Sequence, residues 1–294
     1  MVDDTAIATV GLTKHYGSTV ALDSLDLEVH RGEVFGFLGP NGSGKTTTIR
    51  LLLGLIHPSR GSATIMGVPV GDVERVHRYV GYVPGDVALW PQLTGTEVLD
   101  LLGNVSGRVD AAFRAELLEQ LDVDPSPRMR SFSKGNRQKI ALVAAFMSRP
   151  DVLLLDEPTA GLDPLMEEQF QKMARDAAAR GQTIFLSSHI LDEVEDLCDR
   201  VGILRAGRLV EVAALEELRR IGATIVEVVI NGQAPSLDGV AGVTAVEDIA
   251  GVVGGLRITV VGSPSSLIAR LADVAVVRLR TVEPSLEDIV LTYY

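Results

Sequence analysis

The sequence feature that most constrains this chain is a glycine-rich loop at residues 39–46. It reads GPNGSGKT and fits the pattern G-x-x-x-x-G-K-[ST] without a mismatch. An apolar run at 33–38 precedes the loop and is suited to a buried strand, and residues 47–53 can form a helix. A strand, a glycine loop and a helix in this order direct backbone N–H groups and a positive helix end toward an anion. The sequence therefore predicts a binding site for a nucleoside triphosphate.

Individual residues of this loop have separate predicted roles. Lys45 would reach the β- and γ-phosphates, and the hydroxyl of Thr46 would bind Mg²⁺. The glycines permit backbone conformations that a side chain forbids, so the chain can close on phosphate. We expect nucleotide contacts from the whole loop and the residue after it: Gly39, Pro40, Asn41, Gly42, Ser43, Gly44, Lys45, Thr46 and Thr47.

A second candidate site follows an apolar strand in the middle of the chain. The run at 152–155 is continuously apolar, as in a buried parallel sheet, and it ends in Asp156 and Glu157. Asp156 is suited to order a Mg²⁺ ion, and Glu157 to polarise a water for attack on the γ-phosphate. A further strand at 183–187 leads to His189. Because ligands bind beyond the carboxyl ends of such strands, the three polar sites are expected to converge on one sheet edge.

The alternation of strands and helices predicts an α/β fold with a doubly wound sheet. Before the phosphate loop, short strands separated by turns are expected at 7–10, 20–22 and 25–29. A mostly helical insert at about 86–150 interrupts the alternation, and its last helix is expected to begin at Arg137.

From about residue 221 the pattern changes to that of a small α+β domain. A β-α-β-β-α-β order is the preferred interpretation, with a last helix at 285–292. The predicted domains are therefore 1–220 and 221–294.

Composition limits the partners of such a protein. The net charge of −12 argues against nucleic acid, because neutralising its phosphates requires a basic surface, and against simple adsorption on an anionic membrane. No apolar run approaches the roughly 18 residues that a spanning helix needs, so any membrane role would work through a partner. The lone Cys198 excludes an internal disulfide, suits a reducing cytosol and is expected to be buried.

Two further features have an ordinary interpretation. Tyr16 is either an exposed loop aromatic, which its spacing favours, or a platform for a flat base. The acidic residues at 192–196 share one side of a predicted helix and are expected to form a solvated face.

Taken in order, these motifs resemble the nucleotide-binding subunit of an ABC transporter over about residues 5–215. The loop GPNGSGKT is similar to the Walker A motif, and residues 152–157 are similar to Walker B with the catalytic glutamate. The segment after Phe132 resembles the LSGGQ signature, keeping its Ser and second Gly: Ser133, Lys134, Gly135 and Asn136. Asp163 is similar to the D-loop aspartate and His189 to the switch histidine. By the same resemblance, Tyr16 becomes the aromatic that stacks on adenine.

This resemblance implies a P-loop NTPase cassette with an antiparallel β subdomain and a helical subdomain, followed by the small α+β domain. It implies ATP and Mg²⁺ as ligands and two cassettes that face each other head to tail. ATP held by Lys45 and Thr46 of one cassette would be capped by Ser133 and Gly135 of the other. Glu157 would orient the attacking water, and His189 would hold the γ-phosphate.

One position departs from the family pattern. The family usually has a glutamine after the strand that ends at Val83-Pro84, where it serves as a ligand to Mg²⁺ and water. This sequence has Gly85 there, followed by Asp86. Either Asp86 or a water takes that role, or the coupling to the membrane partner differs.

The C-terminal part resembles the extension of drug- and antibiotic-export cassettes of the ABC-2 type. The expected function is therefore that of an ATPase subunit that powers a separate integral membrane permease. The expected process is export of a drug, an antibiotic or a lipid-like compound. The expected partners are a second, identical cassette and this permease, at the cytoplasmic face of the membrane. A soluble ABC-type ATPase that is not tied to transport and a non-hydrolysing nucleotide binder are the alternatives.

Overall fold

The structure is a computed structural model, and it describes residues 4–107, 109–217, 224–232, 234–249 and 251–282. The chain divides into two compact units, one ending at Val212 and the other beginning at Ala213. Within the described ranges, every helix is too short or too polar to cross a membrane.

The first unit contains most of the helices and strands, and its last strand runs two residues past Val212. In chain order they are β1 (Thr5–Tyr16), β2 (Thr19–His30), β3 (Val34–Leu38), α1 (Lys45–Leu52), β4 (Arg60–Ile65), β5 (Val68–Pro69), α2 (Val73–Val76), β6 (Val80–Val83), α3 (Gly95–Ser106), α4 (Ala111–Gln120), α5 (Lys134–Phe146), β7 (Val152–Asp156), α6 (Pro164–Ala179), β8 (Thr183–Ser188), α7 (Leu191–Leu197), β9 (Arg200–Arg205) and β10 (Arg208–Ala214).

An antiparallel sheet with the order β2-β1-β4-β5 contains the N-terminal strands. The three short strands predicted before the phosphate loop are wrong in extent, because the structure has two strands of 12 residues each. Gly11 and Ser24 take φ values of +53° and +51°, and the pairing register shifts around them. Bulges of this kind let the hydrogen-bond ladder continue through positions that the sequence suggests are breaks.

A six-stranded sheet with the order β10-β9-β3-β8-β7-β6 forms the centre of the unit. Its strands from β9 to β6 are parallel, which confirms the predicted doubly wound sheet. All residues of β3, β7 and β8 are buried, and this explains their continuous apolar runs. The Phe185 ring lies 5.8 Å from that of Phe35 and 5.1 Å from that of Phe37, centroid to centroid.

The insert between β6 and β7 contains α3, α4 and α5, so its predicted helices are confirmed. A capping box begins α3: Thr94 accepts from the Glu97 N–H, and the Glu97 carboxylate accepts from the Thr94 N–H. Ser133 caps α5, which therefore begins at Lys134 rather than at the predicted Arg137. The serine cap satisfies the backbone N–H of Asn136, and this fixes the earlier start.

The second unit contains β11 (Thr224–Ile230), β12 (Val243–Asp248), β13 (Gly255–Val260), α8 (Ser265–Leu271) and β14 (Val276–Val282). Its sheet is antiparallel, in the order β12-β13-β11-β14, and Leu267 and Leu271 of α8 belong to its buried core. The predicted β-α-β-β-α-β order is wrong at its first crossover. The described residues between β11 and β12 form no helix, and glycines with positive φ interrupt them. The helix predicted at 285–292 lies outside the described residues.

Candidate nucleotide-binding site

The phosphate loop joins the end of β3 to the start of α1. Gly44 occupies the position before the first helical residue, with φ +115°, and no side chain caps this end of the helix. Lys45 and Thr46 therefore lie in the first turn of α1, two residues earlier than the predicted helix start at Thr47. The first N–H groups of a helix have no intrahelical acceptor, so this end is open to an anion.

Two glycines of the loop are required by close packing. A Cβ atom on Gly39 would lie 2.4 Å from the carbonyl oxygen of Leu204, and one on Gly44 would lie 2.6 Å from that of Ala21. These distances are shorter than van der Waals contact, so the backbone would have to move to admit a side chain. The loop is therefore held tightly between β2 and β9 before any ligand binds.

Lys45 is 5% exposed, and its ammonium group lies against the loop itself. The Nζ atom donates to the carbonyl oxygens of Gly39 at 2.6 Å and of Pro40 at 3.3 Å. Burial lowers the pKa of Lys45, while the nearby carboxylates of Glu157 and Asp156 act in the opposite direction. A buried cation with these partners is suited to bind phosphate, because an anion would compensate for its lost hydration.

The loop borders an open cavity of about 150 Å³. Eight of its nine lining residues are predicted site residues: Pro40, Asn41, Gly42, Gly44, Lys45, Thr46, Thr47 and Glu157; the ninth is Ala21. Gly39 and Ser43 are buried on the inner side of the loop and do not line the cavity.

The carboxylates lie at the end of β7, as the sequence predicts. Asp156 is 3% exposed, and its Oδ1 accepts a hydrogen bond from Ser187 Oγ at 2.6 Å. Glu157 has a left-handed backbone with φ +48°. Its Oε1 lies 3.1 Å from Nδ1 of His189. The predicted convergence of the three polar sites at one sheet edge is confirmed, because Glu157 borders the phosphate-loop cavity and contacts His189.

A second cavity of about 300 Å³ lies at the position of the family glutamine. It is lined by Thr46, Arg50, Tyr82, Pro84, Gly85, Asp86, Asp156 and Glu157. Asp86 is exposed at its border, whereas Gly85 lies close to Asp156: a Cβ on Gly85 would be 3.6 Å from the Asp156 Oδ2 atom. Burial, and secondarily the Asp156 carboxylate, raises the pKa of Tyr82.

The oxygen atoms around this cavity fit a hard cation. Thr46 offers a hydroxyl group, and Asp156 and Asp86 offer carboxylates. Among the described residues, no group of three or more His, Cys, Asp or Glu side chains could hold a metal ion. Mg²⁺ commonly takes one or two protein carboxylates and completes its shell with phosphates and waters. The residues present therefore fit a Mg²⁺ ion that binds together with a nucleotide.

Besides Gly39, Ser43 and His189, six of the predicted residues line neither cavity. Tyr16 is the last residue of β1 rather than a loop residue, 47% exposed, with Lys14 Nζ 5.1 Å from its ring centroid. Asp163 caps α6 by accepting from the N–H of Met166 at 3.1 Å. The four signature residues, which also line neither cavity, are Ser133, Lys134, Gly135 and Asn136.

The signature segment and the start of α5 contact the turn after β7 of the same chain. Gln138 is 1% exposed, and its Nε2 donates to the carbonyl oxygen of Pro158 at 2.7 Å. A Cβ on Gly135 would lie 2.6 Å from the carbonyl oxygen of Gly161. The start of α5 is therefore packed against the D-loop segment, which follows Glu157 directly in the chain.

The expectation of a solvated acidic face at 192–196 is wrong at Glu193. Glu193 is 6% exposed, and its Oε2 accepts a hydrogen bond from Ser188 Oγ at 2.7 Å. The helix α7 has seven residues, too few for an acidic stripe to show which members face inward. Two serines in succession at a strand end were the available signal. Cys198 is buried as expected, and burial raises the pKa of its thiol well above the ordinary value.

The fold and the site together define a P-loop nucleotide-binding cassette. The family described as ABC transporter matches residues 22–160. The Nod factor export ATP-binding protein I of Cupriavidus pinatubonensis is 35% identical over 95% of this chain and 87% of its own length. The daunorubicin resistance ATP-binding protein of Streptomyces coeruleorubidus is 37% identical over 83% of this chain and 81% of its own. The chain therefore belongs to the ATP-binding proteins of the ABC transporter family, a family of ATPases.

Two further comparisons agree with this assignment. An uncharacterized ABC transporter ATP-binding protein of Nostoc is 40% identical over 68% of this chain, and the match spans 61% of that relative's length. A solved structure described as the ATP binding subunit of an ABC transporter is 34% identical, with a TM-score of 0.69. It covers 74% of this chain and 92% of its own. The matched share of these proteins thus varies from about three fifths to nearly all of their length.

Proposed function

We propose that this chain hydrolyses ATP to power a separate integral membrane permease of the ABC-2 type, and that the assembly exports a drug, an antibiotic or a lipid-like compound. One observation carries the enzymatic part: Glu157 borders the phosphate-loop cavity and contacts His189 at 3.1 Å. A general base, a phosphate-binding cation and a switch histidine thus lie at one edge of the parallel sheet.

Each residue of the proposed site has a chemical task. Lys45 and the N–H groups of the first turn of α1 bind the phosphates, because both are positive and Lys45 is largely removed from water. Thr46 and Asp156 hold Mg²⁺, which neutralises charge on the phosphates when it is bound. Glu157 accepts a hydrogen bond from the attacking water and orients it, and His189 donates to the γ-phosphate.

Asp86 is proposed as an outer residue of this site. It is exposed and borders the same cavity as Thr46 and Asp156. Gly85 supplies no ligand of its own. We therefore assign to Asp86 a hydrogen bond to a water of the metal shell.

A second copy of the chain is the proposed partner at the nucleotide. Ser133 caps α5 and Gly135 packs against the D-loop segment, yet the signature residues do not border the phosphate-loop cavity of their own chain. Such a site is complete if Ser133 and Gly135 of another copy approach the bound ATP. In that arrangement Tyr16 stacks on the adenine and Asp163 lies near the contact between the two copies.

The transport part of the proposal draws on the relatives. The similarity to the Nod factor export protein extends over 95% of this chain, including the second unit. Another relative is named for daunorubicin resistance. These names favour export, with the chain attached to the cytoplasmic face of the membrane through the permease. The second unit, proposed as an accessory α+β domain, follows the cassette.

ATP hydrolysis by the purified chain tests the enzymatic part. Glu157→Gln should reduce turnover by about 10²- to 10⁴-fold, because it removes the base but keeps the shape of the side chain. The same variant should accumulate as a dimer with ATP in size-exclusion chromatography. Normal hydrolysis by Glu157→Gln would refute the role given to Glu157.

Co-purification with a co-expressed ABC-2 permease tests the transport part, and ATPase activity without any such association would favour a soluble ATPase.

A further inference from the structure

Two consecutive serines tie the segment of His189 to two different carboxylates. Ser187 Oγ donates to Asp156 Oδ1 at 2.6 Å, and Ser188 Oγ donates to Glu193 Oε2 at 2.7 Å. Successive side chains of a strand point to opposite faces, so these bonds hold the end of β8 from two sides. Asp156 belongs to the proposed nucleotide site. Glu193 lies on α7 and has no part in that site.

The Ser188 hydroxyl has only one proton, and Glu193 decides where it points. The Glu193 oxygen accepts it at 2.7 Å, whereas the alternative acceptor, the carbonyl oxygen of Ile190, lies 3.4 Å away. A lone pair of the same hydroxyl accepts the Ile190 N–H at 3.0 Å. Ser188 and Ile190 are the two neighbours of His189, so one hydroxyl group joins both ends of the histidine segment.

The imidazole itself has little other support. His189 is exposed, and within the part of the chain that the structure describes its ring makes one hydrogen bond, to Glu157. Its position beside Glu157 therefore depends on the backbone turn from Ser188 to Ile190.

Burial of the Glu193 carboxyl group costs free energy, and the hydrogen bond from Ser188 offsets part of this cost. Its Oε1 accepts no hydrogen bond from the described residues, and the side chain borders a cavity of about 220 Å³ between α6 and α7. The surrounding groups are mostly acidic or neutral: Thr159, Glu167, Gln171, Ile190, Asp192 and Asp196. Burial raises the pKa of Glu193, and the side chains of Ser188 and Thr159 offset part of this rise. The charge of Glu167 raises the same pKa further, and His189 lowers it. A buried carboxyl group at this cost indicates a role beyond the stability of α7.

We propose that Glu193 is a positioning residue for His189, acting through the Ser188 hydroxyl to fix the turn that places the imidazole beside Glu157. The inference rests on the proposed ATPase function, and it adds a residue that touches neither the nucleotide nor the attacking water. Removing Glu193 frees the Ser188 proton to turn toward Ile190, and the histidine segment then loses its fixed geometry.

Steady-state ATP hydrolysis by the full chain tests this inference. Glu193→Ala and Ser188→Ala should each lower kcat by about tenfold, the effect expected for one lost charge-assisted hydrogen bond at a catalytic geometry. The KM for ATP should stay unchanged, because the phosphate loop is intact. Glu193→Gln should restore most of the activity, since its amide oxygen can accept the Ser188 proton. Asp192→Asn is the matched control on the same helix and should behave as the wild type.

The double variant separates positioning from simple support of the fold. If Glu193 acts through Ser188, Ser188→Ala combined with Glu193→Ala should lose no more than either single change. Losses that multiply, a Glu193→Ala variant with wild-type kcat, or a KM that rises in parallel would overturn the proposal. Should Glu193→Ala fail to fold, Glu193→Leu, which fills similar space but cannot accept the Ser188 proton, takes its place in the same double-variant comparison.

A measurement without turnover keeps this inference distinct from the proposed function. The ring proton resonances of His189, assigned with His189→Gln, can be recorded by NMR at fixed pH. They should move in Glu193→Ala and Ser188→Ala but not in Asp192→Asn, and unchanged resonances would overturn the proposal. A wild-type chain that does not hydrolyse ATP would refute the proposed function, while these resonances would still decide the role of Glu193.

Discussion

Replacing Glu157 by glycine should stabilise the first unit while it removes catalysis. Glu157 has φ +48°, a left-handed conformation that costs a residue other than glycine about 1–2 kcal/mol. Two backbone hydrogen bonds hold it there: its N–H donates to the Ser187 oxygen at 2.9 Å, and its carbonyl accepts from the Ala160 N–H at 3.1 Å. These bonds remain in any variant, so glycine would keep the turn without the strain.

The comparison with alanine isolates this backbone term. Glu157→Ala and Glu157→Gly both lose the side chain and its contact with His189, but only glycine relieves the strain. Glycine also loses about 0.5–1 kcal/mol through its greater freedom in the unfolded chain. We therefore expect the glycine variant to be more stable than the alanine variant by about 0.5–1 kcal/mol, or about 1–4 °C in Tm.

Urea unfolding without nucleotide is the assay for stability. The fluorescence of Trp90, the lone tryptophan of the chain, reports on the first unit, in which it lies. Turnover of ATP should fall by about 10²- to 10⁴-fold in both variants, because the base is absent. Glu157→Gln is the control: it keeps the strain and should unfold like the wild type. If glycine is no more stable than alanine, the left-handed backbone stores no strain and the reasoning is refuted.

Three further predictions follow from single contacts. Gly85→Gln should fold with wild-type stability, because its Cβ would lie no closer than 3.4 Å to Asp156. It should also lower the Mg²⁺ concentration needed for half-maximal ATPase activity, and an unchanged requirement would contradict the assignment of this cavity. Gly135→Ala should lower the free energy of unfolding by about 1–3 kcal/mol in urea titrations, because its Cβ would lie 2.6 Å from the Gly161 oxygen; wild-type stability would contradict this packing. The pKa of Glu193 is raised above its ordinary value of 4.5, so the folded chain keeps the Glu193 carboxyl proton at pH values where the unfolded chain loses it. Wild-type stability therefore falls as the pH rises from about 4.5 to the raised pKa. Glu193→Gln should lack this fall, as Tm measurements from pH 5 to 8 would show, and parallel curves would contradict it.

Much of the fold could be predicted because its signals are local. The apolar run of β7 identifies a buried parallel strand without knowledge of its neighbours. The N-terminal strands were predicted too short, since a bulge at Ser24 depends on pairing with β1 rather than on the segment itself. The second unit was predicted less well because glycine-rich connections resemble weak helices or turns equally.

For the site, the sequence identified residues but not their surroundings. It predicted the phosphate loop, Asp156, Glu157 and His189 from motif spacing, and the structure brings these together. The roles given to Tyr16 and to the signature residues stay predictions, since they depend on a nucleotide and on a second copy of the chain.

By itself, the sequence determined the phosphate loop and the apolar strands that end in polar residues, because glycine positions, strand periodicity and helix caps act over a few neighbouring residues. Only the tertiary structure decided which side chains lose their water. It buried Glu193 against Ser188, and it left a cavity beside Gly85 at the sheet edge. It also placed the phosphate loop so close to Ala21 that Gly44 admits no side chain. Burial and contact of this kind depend on elements far apart in the chain, and no local pattern records them.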